Sequence, residues 1–259
     1  VEAIWGALPA TPTLDAEELA RRIDELHLAC LDATARFQGW DRVAEMVRSA
    51  AHVPEVNAET VRKAKVVEAI CTRHSGRPLP WPDVAPGTDA RPLRLLEATQ
   101  RLQHGLDAGA SSAELDACLA SARALLAPPS DRHREDWILL SAMGRATSGL
   151  AREPEGSPML REALAGMARL GLWGDTSFAL SELARVSGIL HDRAGVEHVE
   201  ALDRHRRWAI PPGEARRASD LFVDLALGRA RAQLGDTARA VERLEPVASA
   251  RFSPHVTEA

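Results

Sequence analysis

Three histidines, His191, His198 and His205, recur at seven-residue intervals in a chain of 259 residues. On a helix that spacing puts the last two on one face, where imidazoles can ligate a metal or move protons. A zinc site needs a further convergent ligand, and zinc-binding histidines on a helix usually stand closer, as in His-Glu-x-x-His. Neither that motif nor a Cys-x-x-Cys pair occurs, so surface histidines are expected. Cys30, Cys71 and Cys118 lie far apart within helical patterns. An odd, sparse count argues against a disulfide framework and fits a reducing cytoplasm, with buried, structural thiols. The glycines from Gly166 to Gly174 lie too far from any lysine to cradle a phosphate, and no Gly-x-Ser-x-Gly elbow is present. Acidic pairs such as Glu17-Glu18 fall in first helical turns, where they favour the helix dipole. Arg204, Arg206 and Arg207 make a local basic cluster, expected to be a solvated helix face. No catalytic residue, metal ligand or cofactor is assigned, and the chain is not expected to be an enzyme.

The elements that must carry any site are helical. The plainest stretch is Leu221 to Ala248, an apolar helix, a Leu-Gly-Asp turn and a second amphipathic helix. Gly235 stops the first helix by accepting a left-handed backbone, and Asp236 or Thr237 caps the next. This hairpin resembles a tetratricopeptide repeat, whose period is about 34 residues. Leu227 and Gly228 match its leucine and small crossing position, Ala240 its second small residue and Leu244 its large apolar one. Asp224 and Arg231 depart from it, standing where the family prefers large aromatics. Pro246 falls inside the second helix and should kink or end it.

Composition agrees with an all-α chain. Tyrosine is absent and β-branched runs are few, which disfavours a sheet. Lysine occurs only at Lys63 and Lys65, an arginine bias that fits a GC-rich coding background, as in actinobacteria. The net charge of −5 offers no global attraction for nucleic acid or anionic lipid. No apolar run reaches membrane-spanning length and no signal peptide precedes the first helix, so neither a membrane nor an export route is expected. The chain starts at a valine, and Ser253-Pro254 resembles the opening of another helix, so a segment of a longer protein is expected.

Taken in order, Asp15 and Glu18 start a helix running to about Phe37, and Gly39 separates it from one over Trp40 to Ala51. Aligned like the last hairpin, this pair puts Leu31, Gly39 and Ala44 on repeat positions. Asn57 caps a third helix reaching His74. Ser75 to Pro92 holds five prolines and two glycines, which makes it either a surface loop or a linker. Trp81 within it is expected to tie the loop down rather than serve as an exposed anchor. Helices are then expected over Leu93–Asp107, Ser111–Leu126, Asp131–Arg152, from Ser157-Pro158 to Leu172, from Asp175 or Thr176 to Leu190, and over Val196–Trp208. The expected organisation is N-terminal repeats over 1–74, the proline-rich loop or linker over 75–92, and C-terminal repeats over 93–259. Together they would form one right-handed superhelix of stacked hairpins.

In such a stack, binding falls on the face lined by each hairpin's first helix. Arg36 and Phe37 in the first hairpin, and Phe222, Arg229 and Gln233 in the last, are placed there. Arginine beside apolar surface suits an acidic peptide or a carboxylate-bearing ligand. A second resemblance covers roughly the last fifth of the chain. Pro212, Glu214-Ala215-Arg216-Arg217 and the run Phe222-Val223-Asp224-Leu225-Ala226-Leu227-Gly228 are similar to the C-terminal end of actinobacterial helix-turn-helix transcription regulators. That resemblance implies a sensor or interaction region binding a peptide, a small signal or a partner subunit, including a second copy of itself. Contact with DNA would then belong to a domain that these residues do not contain. A plain assembly scaffold and an all-helical enzyme with a dispersed site are the alternatives.

Overall fold

The computed structural model describes residues 15–32, 40–50, 55–77, 79–83 and 90–250. Eleven α-helices and two short 3-10 turns, with no strand, make up the regular structure of these residues. The chain divides into two compact units, residues 1–118 and 119–259. The division falls within a helix, not at the proline-rich stretch.

The first unit holds α1 (Ala16–Asp32), α2 (Trp40–Ala50), α3 (Ala58–His74), α4 (Arg91–Asp107) and the start of α5 (Ser112–Leu125). The caps follow the sequence: Asp15 Oδ1 accepts from the Glu18 N–H, Asn57 Oδ1 from Thr60, and Ser111 with Glu114 closes a reciprocal box. Helices α1 and α2 both pack on α3, and α4 covers α1 and α3. Leu19, Ile23, Leu26, Leu31, Val43, Ala44, Val67 and Ile70 share one core; Gly39 lies outside the described residues. Glu97 on α4 binds His27 of α1 at 2.8 Å and Arg62 of α3 at 2.6 Å, so one carboxylate ties three helices. Trp81 packs on the same core and meets the His104 ring edge-on, while the His104 Nε2 bonds the Leu79 carbonyl. Trp81 thus packs against the unit, as expected. Arg91 and Pro92, expected in the loop, open α4, since proline is tolerated in a first turn.

The second unit contains the rest of α5, then α6 (Arg134–Gly149), α7 (Glu153–Arg169), α8 (Ser177–Ile189), α9 (Arg193–Ala209), α10 (Glu214–Gln233) and α11 (Thr237–Ser249). They pair as hairpins α6–α7, α8–α9 and α10–α11, with α8 packed between α6 and α10. The three hairpins share one internal geometry. Each first helix ends in a residue with positive φ: Ala151 (57°), His191 (52°) and Gly235 (76°). The next residue donates its N–H back over the turn, Arg152 to Thr147 O, Asp192 to Ser187 O and Asp236 to Arg231 O, at 2.8–3.2 Å. Asp192 and Asp236 then cap the second helices by accepting from the Gly195 and Arg239 N–H groups. Counting back seven residues from each turn reaches Gly144, Ala184 and Gly228, a small residue in each first helix, and the two glycines lie close against their second helices. A Cβ on Gly144 would lie 2.9 Å from Leu160 Cγ, and one on Gly228 2.5 Å from Leu244 Cγ.

Several boundaries differ from the sequence expectation. The helix expected over Asp131–Arg152 is a 3-10 turn at Pro129–Asp131 followed by α6, which stops at Gly149. The left-handed position after that stop is taken by Ala151 and not by a glycine. Helix α7 opens at Glu153 rather than Ser157, and Pro158 lies inside it; α9 likewise opens at Arg193 under the Asp192 cap rather than at Val196. Gly156 lets the backbones of α6 and α7 meet, since a Cβ there would stand 2.7 Å from Gly144 O, and that seating holds the turn before Pro158. Pro246 does not end α11, which runs on to Ser249.

Two measurements test this packing. Gly228→Val should destabilise the protein by about 1–3 kcal/mol through overpacking against Leu244, whereas Gly174→Ala, with open space around it, should leave the urea midpoint unchanged. In the first unit, the ring of His74 stacks on Trp40 at 4.4 Å, and that covering, with the charge of Arg73, lowers its pKa from 6.5 to about 4. Burial pushes the Glu97 carboxyl up, but the His27 and Arg62 hydrogen bonds and the Arg62 charge outweigh it and hold it below 4.5. A histidine held below its ordinary value takes up its proton more readily unfolded, so its contribution is full above pH 6.5 and falls as pH drops toward 4. Glu97 contributes above pH 4.5 and loses its share as pH falls further. The denaturation midpoint should therefore decline in two stages on acidification, and His74→Gln should remove the first stage only.

Candidate functional site

Helices α6, α8 and α10 leave one face uncovered by their second helices, and contacts across it are continuous. The Arg145 guanidinium of α6 lies over the Phe178 ring of α8 at 5.2 Å. Phe178 meets Phe222 of α10 edge-to-face at 5.3 Å, and remains 45% exposed. Arg145, Arg185 and Arg229 each stand one residue past the small crossing position of their helix, so the shared geometry brings all three to this face. Arg185 binds Glu182 at 2.7 Å and is half-exposed. The Glu182 hydrogen bond, against some burial, raises its pKa above the ordinary arginine value. Arg229 is exposed and has no side-chain hydrogen bond or ion pair among the described residues.

Of the residues assigned from sequence, Phe222, Arg229 and Gln233 lie on α10 as expected. Gln233 is exposed, but its Oε1 lies over Gly188 of α8, where a Cβ would meet it, so it partly covers the neighbouring helix. Arg36 and Phe37 lie outside the described residues. Sequence analysis missed Arg145, Phe178 and Arg185. Their signal was the matching offset from Gly144, Ala184 and Gly228, which stand 40 and 44 residues apart rather than at the expected period.

Behind this face the last two hairpins are joined by ions. The basic cluster on α9 is not a solvated face: Arg206 and Asp203 are both 0% exposed and bonded at 2.7 Å. Arg206 also donates to Ser219 Oγ at 2.8 Å and Asp220 Oδ1 at 2.6 Å. Arg207 bonds Asp203 and Asp224, and Arg243 of α11 bonds Asp224 at 2.9 Å. Arg231, fully buried, grips Glu200 through two nitrogens at 3.0 and 2.6 Å. Only Arg204 of the cluster is exposed. Asp224 and Arg231, noted in the sequence as departures at positions where the repeat prefers large aromatics, stand there as paired charges.

The remaining candidates offer less. A cleft lined by Glu197, Glu200, Arg204, Arg239, Glu242 and Arg243 balances its carboxylates against its guanidiniums. His191, His198 and His205 are exposed, and His205 stacks on Trp173. No group of three His, Cys, Asp or Glu side chains among the described residues is placed to hold a metal. Cys30 and Cys71 are buried in one core; contact with the Cys30 thiol and then burial push the Cys71 thiol up, which disfavours the reactive thiolate. No helix among the described residues is long and apolar enough to cross a membrane.

Because Asp203 and Arg206 are buried, truncating Asp203 leaves the Arg206 charge buried with Ser219 and Asp220 as its remaining partners. Asp203→Ala should cost about 3–5 kcal/mol of stability, against under about 1 kcal/mol for Arg239→Ala, whose partner Asp236 it meets only at 3.8 Å on the surface. Denaturation of both variants beside the parent checks the difference.

Comparison with known proteins gives no match: no family model, no curated protein and no solved structure is detectably similar to this chain.

Proposed function

We propose that this chain is a tetratricopeptide-like interaction domain, the sensor region of a bacterial transcription regulator, which binds a peptide or partner protein on the first-helix face of its hairpins. The observation that carries the reading is the repeated geometry of α6–α7, α8–α9 and α10–α11: the same turn in all three, a small residue seven positions before it, and a glycine crossing in the first and last. Side-by-side hairpins of this kind suit a right-handed superhelix, whose extended surface is used for binding. Half-exposed Phe178 and unpartnered Arg229 on that face fit docking better than shielding of a neighbour. The regulatory part rests on the similarity of residues 212–228 to helix-turn-helix regulators. A scaffold without a regulatory ligand is the competing reading.

Selection of a random peptide library on the purified chain tests the interaction reading without presupposing a sequence. Enriched peptides should bind the parent and lose about tenfold or more in affinity to Phe222→Ala and to Arg229→Ala. Peptides that bind both variants equally, or no enrichment against a folded chain, would overturn the assignment of this face. For the regulatory part, the gene should encode a short helix-turn-helix segment upstream of Val1; its absence there favours the scaffold.

A further inference from the structure

The cleft between the second helices α9 and α11 balances its charges in sum but not pair by pair. Glu200 is committed to the buried Arg231, and Arg243 to Asp224. Arg239 reaches Asp236 only at 3.8 Å. Glu197, Arg204 and Glu242 are exposed and have no hydrogen bond or ion pair among the described residues. A charged groove is ordinarily a solvated surface. Here two unpaired carboxylates and an unpaired guanidinium line one cleft of about 380 Å³, enough for a small molecule.

Their order along the helices selects the ligand. Asp192 and Asp236 are equivalent caps, and Glu197 and Glu242 lie five and six residues beyond them. Glu200 and Arg243, eight and seven residues beyond the same caps, approach to 4.0 Å, which fixes the register of α9 against α11. The two free carboxylates therefore stand near one level of the cleft. Arg204 lies seven residues past Glu197, two turns further along the same face of α9. At 1.5 Å per residue that is about 10 Å, and a hydrogen bond of about 2.8 Å at each end leaves a span of about 5 Å.

We infer that this cleft binds a short zwitterion, with its ammonium between Glu197 and Glu242 and its carboxylate on Arg204. An ammonium has three donors and can serve both carboxylates, while the planar guanidinium takes a carboxylate through two parallel bonds. The span excludes α-amino acids, whose charges stand too close together, and fits an ω-amino acid or the two ends of a dipeptide. A molecule held this way ties α9 to α11 and, bound only by the folded cleft, stabilises the last two hairpins. The site is separate from the first-helix face and does not rest on the interaction reading.

Isothermal titration calorimetry on the full 259-residue chain at low salt tests this with 4-aminobutyrate, glycylglycine, glycine, butylamine and butyrate. At least one of the first two should bind about fivefold or more tightly than each of the other three, weaken as salt rises, and raise the thermal midpoint. The tighter of the two names the source, an ω-amino acid or a dipeptide. Glu197→Gln and Arg204→Gln should each weaken that binding about fivefold or more with helical circular dichroism unchanged, because neither side chain holds a partner in the fold. Glu245→Gln, exposed on α11 outside the cleft, should leave it unchanged. Butylamine or butyrate binding as tightly would show that one charge suffices, and glycine binding as tightly that the span is wrong; either overturns the proposal. So does the absence of saturable binding, binding that survives both cleft variants, or an equal loss with Glu245→Gln. None of these results bears on peptide binding at Phe222 and Arg229, so the two readings fail separately.

Discussion

Two helices of a hairpin approach closely only where one presents no bulk to the other. Gly144 and Gly228 provide that point in the second unit, with the large residues Leu160 and Leu244 directly over them, and Ala184 is the small residue at the same offset in the middle hairpin. Once the crossing is fixed, the turn length is fixed with it, because the same seven residues separate crossing and turn in each hairpin. The side chain one step further along each first helix is then pointed away from its second helix. That is how a packing constraint places three arginines on one face without any direct contact between them.

The ionic layer between the last two hairpins follows a different logic. Buried charges are costly to desolvate, and their attraction offsets this only when each is fully paired. Asp203, Arg206, Asp220, Arg207, Asp224 and Arg243 meet that condition by sharing partners, and Ser219 takes one of the remaining donors. Such an arrangement contributes little net stability over an apolar plug but tolerates few alternative registers. An aromatic at 224 would pack against many neighbours; among the described residues Asp224 accepts from Arg207 and Arg243. In the hairpin α6–α7 the same task falls to Trp137, Leu140, Ala163 and Met167, an apolar cluster.

In the first unit one carboxylate is shared among three helices, beside separate pairs such as Lys63–Asp24 and Arg48–Glu68. Glu97 joins α1, α3 and α4 through His27 and Arg62, and the surrounding aliphatic core supplies most of the burial. Trp81 extends that core to residues 79–83, which it holds against the unit.

Local chemistry determined what the sequence alone made legible. Helical periodicity, the caps at Asp15, Asn57, Ser111 and Asp236, and the left-handed stop at Gly235 all act within a few residues, so residue type was enough. The close crossing at Gly228 was also readable, since a glycine and a leucine at repeat spacing have few other uses. Tertiary structure decided the rest. Ala151 and His191 turn left-handed only because the packed hairpin holds them there, and no residue type announced it. Arg206 is a buried structural group rather than a solvated one because Asp203, Ser219 and Asp220 converge on it from two helices. The row of Arg145, Arg185 and Arg229 exists only after three hairpins of unequal length are laid side by side. Distance along the chain conceals that alignment, and it is packing between helices that reveals it.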